Sequence, residues 1–170
     1  MSNFTKNDYD SVINNALEEV KIYMQSICKT TEILDKKAYN IITICLTILL
    51  GVCGFIFTSF EKIDITIIVA SFILCTGSFI SIIILYYAFK ARNFYIYGDL
   101  MKDIKSEDVY YHDEKGFKIY LIDIYQNKSL ENLKTNNLKG NYINYAMFVA
   151  ILSALTSVMI VLLSKILILI

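Results

Sequence analysis

Three uncharged runs, residues 38–60, 65–89 and 140–164, constrain this 170-residue chain more than any other feature. A helix that crosses a bilayer needs about 20 mostly apolar residues, because about 30 Å of hydrocarbon is covered at about 1.5 Å per residue. Each run meets that length. The chain is therefore expected to be all-α and polytopic, with three transmembrane helices and two cytoplasmic helical segments that form a bundle. The lipid bilayer is its first expected partner.

Composition narrows the function. The hydrophobic fraction is 56% and mean hydropathy +0.51, and the apolar residues are segregated into the three runs rather than spread along the chain. Sixteen basic and sixteen acidic residues cancel, so no strong field draws nucleic acid or an anionic substrate. Arg92 is the only arginine, which leaves bidentate recognition of phosphate or carboxylate almost without donors. Cys28, Cys45, Cys53 and Cys75 show no paired C-x-x-C spacing and read as small apolar packing residues. The opening MSNFTKNDYD lacks a basic region followed by a short apolar core, so the first run is expected to act as its own insertion signal.

Orientation follows from lysine and arginine near the spans, since positive charge is retained on the cytoplasmic side. Residues 1–37 carry five lysines and residues 90–139 nine basic residues, against Lys62 alone in the short connection at 61–64. Four parts result: a cytoplasmic amphipathic helix at 1–37, a transmembrane hairpin at 38–89, a cytoplasmic helical segment at 90–139 and a third transmembrane helix at 140–170. The N-terminus is expected in the cytoplasm and the C-terminus outside, in an inner cell membrane. Tyr86, Tyr87, Tyr142 and Tyr145 stand where an aromatic belt belongs, and Lys165 reads as an interfacial stop.

Within the first part, Ile13, Leu17, Val20, Met24, Ile27, Thr31, Leu34 and Ala38 recur at spacings of four and three, an a/d seam nearly four heptads long. It either packs on the chain's own second cytoplasmic segment or associates with a copy of itself. Val12, Ile22 and Ile33 lie off the seam and point to a broad intramolecular contact. In the second cytoplasmic segment, Phe117, Tyr120, Leu121, Ile124 and Tyr125 have helical spacing past a turn at 111–113. With no proline in the way, that helix is expected to run directly into the third span.

Chemistry finds little to use. His112 is the only histidine, beside Asp113 and Glu114, and reads as a solvated surface residue or a pH sensor. No phosphate-binding glycine loop or paired catalytic carboxylate is present, so no enzyme, metal or cofactor is expected. The first and second spans lack acids, histidine and basic residues, which disfavours coupled transport. The spans do carry small and hydroxyl residues. Ala146, Ala150, Ser153, Ser157 and Ser164 form one stripe in the third span, and Ser71, Cys75 and Ser78 line a face of the second beside Gly77 and Ser81. Such residues let membrane helices approach closely. The stripe either packs against the chain's own helices or faces other copies and borders a weakly selective pore. Six asparagines at 127, 132, 136, 137, 141 and 144 read chiefly as compositional bias, with interchain or ligand contacts as the lesser reading.

The order of parts, a helix ending in EILDKKAYNIITICLTILLGVCGFIF, a tight SFEKID hairpin, a second span and IYLIDIYQNKSLENLKTNNLKG entering another, resembles the SLATT-type membrane effectors of prokaryotic conflict systems. The resemblance implies self-assembly as a homo-oligomer in the inner membrane, a cyclic nucleotide or protein as trigger, and permeabilisation in antiviral defence. A third span after the cytoplasmic helix departs from a plain two-span pattern. The alternative is a non-conducting scaffold or accessory subunit that docks a cytoplasmic protein.

Overall fold

The computed structural model describes residues 6–59, 63–90, 95 and 113–169. Among them are three helices and no strand: α1 (Lys6–Ser59), α2 (Ile65–Phe89) and α3 (Glu114–Leu169). Each holds a stretch long and apolar enough to cross a membrane. His112, Arg92, Lys62 and the charged residues 102–108 lie outside the described residues.

At 54 and 56 residues, α1 and α3 continue from polar sequence into apolar sequence without a break. No proline removes an N–H or forces a kink in either helix. The ends are set by local chemistry. Asp64 caps α2, its carboxylate accepting from Thr66 N at 3.2 Å, where an acidic group also suits the helix dipole. Asp113 does the same for α3, accepting from Gly116 N at 2.8 Å, while Lys118 reaches back to Glu114 at 2.8 Å. That lysine, by hydrogen bond and charge, holds the exposed Glu114 carboxyl below the usual carboxylate range.

Contacts divide the chain into two compact units, Met1–Ile33 with Ala91–Asn137 and Leu34–Lys90 with Leu138–Ile170. The boundaries read from charge, after residues 37 and 139, fall slightly later. The reason is local: Asp35 and Lys139, two of the last charged residues before the apolar runs, pair at 2.6 Å within the second unit.

In the second unit α2 and α3 are antiparallel, because contacts descend on one helix as they climb on the other. Leu85 and Ala88 cluster with Ile143 and Ala146, Ser81 reaches Ala146, Gly77 lies on Ser153, and Ser157 reaches Ala70. Ala38 of α1 joins the same cluster with Leu34, Ile41 and Ile42 packed around it. Further along, α1 takes little part. Only 6% of its most apolar stretch is buried, against 22% for α2 and 17% for α3.

In the first unit α1 and α3 run parallel. Asp10 faces Lys115 at 4.0 Å and Thr31 bonds Asn136 at 2.8 Å, an offset of 105 residues in each case. Met24 and Tyr125 are buried at the centre, with Leu17, Val20, Leu121 and Ile124 packed against them. Val12, Ile22 and Ile33 do not broaden this contact, as their sequence positions suggested. They are 56%, 60% and 47% exposed, because they project from the side of α1 away from its seam.

At Gly77, α2 lies directly against α3. A Cβ there would collide with Cβ and Oγ of Ser153 and come within 3.7 Å of its Cα. Overpacking of this kind costs about 1–3 kcal/mol. Gly77→Ala is therefore expected to lower the unfolding midpoint in detergent micelles, and adding Ser153→Gly in the same chain is expected to restore it.

Candidate functional site

Two polar constellations stand out, one in each unit, and both lie on a single register of α3. Lys118, Ile122, Tyr125, Ser129, Asn132, Asn136, Lys139, Ile143, Ala146, Ala150, Ser153 and Ser157 recur at spacings of four and three, and none of them is exposed. Within each unit such a row is the narrow face that α3 turns toward its neighbours.

In the second unit the row supplies small and hydroxyl groups. Ser157 Oγ donates to Ala70 O at 2.9 Å and to its own helix at Ser153 O at 2.8 Å. Ser81 Oγ on α2 returns the arrangement, donating to Ala146 O and to Gly77 O, both at 2.9 Å. Each hydroxyl thus shares its proton between an intrahelical carbonyl and one on the facing helix. Ser81 and Ala146 are fully buried and Ser153 and Ser157 nearly so. Ala150 is half-buried on the same row, and its carbonyl accepts from Ser153 Oγ at 2.9 Å. Ser71 is half-buried and lines an apolar cleft of about 300 Å³ with Ile67, Leu74 and Ser157. Of the small residues singled out in the sequence, Gly77, Ser81, Ala146, Ser153 and Ser157 therefore meet one another inside one chain.

A different face of this unit is open. On α1, Asn40, Thr43, Thr47, Gly51, Gly54 and Thr58 are all exposed. At 100° per residue they fall within about 80° of arc, on the opposite side from the buried Ala38 and Cys45. Nothing lies within 4 Å of a Cβ built at Gly51 or Gly54. The threonine hydroxyls are satisfied by carbonyls of their own helix, as in Thr47 to Thr43 O at 2.8 Å.

In the first unit the row supplies amides. Asn136 Nδ2 donates to Ile27 O at 3.1 Å, while its Oδ1 accepts from Thr31 Oγ1 at 2.8 Å, so one side chain ties α3 to two positions of α1. Asn132, fully buried, binds neither. Its Oδ1 accepts from Tyr95 N at 3.0 Å and its Nδ2 donates to Tyr95 O at 2.8 Å. Cys28 Sγ also approaches Tyr95 O at 3.8 Å, and Lys128 Nζ sits 3.5 Å from the centre of the Tyr95 ring. Ser129 Oγ is buried with no hydrogen-bond partner.

The seam residues of α1 line this unit as follows. Met24 and Ile27 are buried, and Ile13, Leu17 and Val20 are half-buried, while Leu34 is half-buried in the other unit. The two buried asparagines were not distinguished in the sequence from the other four, which are exposed. The signal was present: stepping the spacing of four and three backward from Ala146 reaches Ile143, Lys139, Asn136 and Asn132. Among the described residues no cluster of His, Cys, Asp and Glu could hold a metal ion. No family model, curated protein or solved structure matches the chain.

A buried polar group that loses its partner costs about 1–3 kcal/mol, whereas removing an unpartnered one relieves that cost. Asn136→Ala is expected to destabilise the protein by that amount. Ser129→Ala is expected to be neutral or stabilising in the same chemical-denaturation series.

Proposed function

We propose that this chain is a three-span protein of an inner cell membrane, N-terminus in the cytoplasm and C-terminus outside, that self-assembles and permeabilises the bilayer as a defence effector. The observation that carries the reading is the open face of α1. Small residues let helices approach closely in lipid, where no hydrophobic force drives association. The face at Thr47, Gly51, Gly54 and Thr58 has that character, and among the described residues nothing packs on it. It is the natural place for a second copy. The stripe on α3 is not, since Ser153 and Ser157 are occupied by α2.

On this reading the pore is proposed away from the α3 stripe. Copies meet through α1, and a water path forms only where the weakly polar Asn40, Thr43 and Thr47 of several copies face one another. Parallel α1 and α3 with an antiparallel α2 fit the charge-based orientation, in which the first and third spans cross the same way. Similarity in the order of parts to SLATT-type effectors supports the assignment to defence, and with it a cyclic nucleotide or protein trigger. The scaffold reading draws on Ile119, Leu130 and Leu133, which are exposed on α3 in the first unit and could seat a cytoplasmic protein.

Dye-loaded liposomes carrying the purified protein test the choice, alone and with a panel of cyclic nucleotides. The effector reading expects leakage, abolished in the Gly51→Leu, Gly54→Leu double variant while insertion is retained. Vesicles that stay intact under every condition, with insertion shown by protease protection, favour the scaffold.

A further inference from the structure

We infer that Asn132, Lys128 and Cys28 form a recognition site for an extended peptide bearing an aromatic residue, and that Tyr95 fills this site in cis. The argument begins with what Asn132 does not do. A polar residue on a helix seam commonly fixes the register of the helix pair. Here Asn136 has that task, bonding Ile27 O and Thr31 Oγ1. Asn132, one turn earlier and fully buried, spends both polar atoms on a residue that belongs to neither helix.

The geometry defines the ligand. One carboxamide reaches the N–H and C=O of a single residue only when both point to the same side, as they do in an extended strand. Asn132 thus offers Tyr95 the donor and acceptor that a neighbouring strand would offer. Such bonds read backbone and tolerate any side chain. Selectivity comes from Lys128, whose ammonium at 3.5 Å from the ring centre lies well inside the range of cation–π attraction. Cys28, from α1, adds a weak third contact to the same carbonyl. A buried amide stripped of these bonds is left unpaired, so an emptied site favours capture of another extended segment. Any peptide that presents an aromatic residue on an extended backbone competes with Tyr95 for it. The site shares no residue with the assembly face on α1 and does not depend on the proposed function.

Cys28 reports occupancy. With Cys45, Cys53 and Cys75 replaced by alanine, Cys28 is the only thiol in the full chain, and its modification by a water-soluble maleimide is timed in nanodiscs. Tyr95→Ala is expected to raise the rate at least tenfold. A nonapeptide of sequence ARNFYIYGD is expected to return that variant to the parent rate in a saturable way, while the peptide with its three aromatic residues changed to alanine has no effect. Asn132→Leu, which fills the volume without the amide, is expected to label fast with or without peptide. Fluorescence anisotropy of labelled peptide gives a second readout, with tighter binding to Tyr95→Ala than to the parent. An unchanged Cys28 rate in Tyr95→Ala, no protection by the peptide, or equal protection of Asn132→Leu overturns the site.

Discussion

Hydroxyl and amide groups at the contacts of α3 reach backbone carbonyls of the facing helix, from α3 at Ser157 and Asn136 and toward it at Ser81, and both units use this interaction. A carbonyl already engaged in a helix has a second lone pair to offer. Ser157 uses that of Ala70, Ser81 that of Ala146 and Asn136 that of Ile27. Bonds of this kind require the helix backbones to be close, and closeness requires small residues at the contact. Gly77 against Ser153 is one such contact, since a Cβ at position 77 would collide with the serine side chain. The register of α3 is thus fixed by polar pairing at distances that large apolar side chains would not allow.

That same economy decides which surfaces remain for other molecules. A serine whose proton is shared between two carbonyls of its own chain has little left for water or an ion. Ser157 is consumed in this way and Ser153 lies against Gly77, whereas α1 leaves its glycines open and its threonines satisfied within their own helix. Exposed leucine and phenylalanine side chains such as Leu50 and Phe57 surround that open face, as suits a surface that meets lipid or another apolar helix.

Much of the fold was legible in the sequence because its governing terms are local. Apolar length gives the three helices and the absence of proline gives their continuity, whereas the capping roles of Asp64 and Asp113 emerge only in the structure. The a/d spacing on α1 picked out Met24 and Ile27, and the small-residue spacing picked out Ser153, Ser157, Gly77 and Ser81. What the sequence did not disclose is pairing. Spacing says that a face is buried but not against what, so a stripe that meets α2 looks the same as one that meets a copy. The asparagines were obscured by number: four exposed amides hid Asn132 and Asn136. The role of Tyr95 depends on an amide 37 residues away, which no local pattern encodes.

Disulfide cross-linking in native membranes tests the central claim, that the α3 row is filled within one chain while α1 is open to another. Two single-cysteine variants suffice, Gly54→Cys and Ser157→Cys, each in a chain whose native cysteines are replaced by alanine. On mild oxidation the account predicts covalent dimers from the variant at position 54 and none from the variant at position 157. Dimers from position 157, with none from position 54, would contradict it.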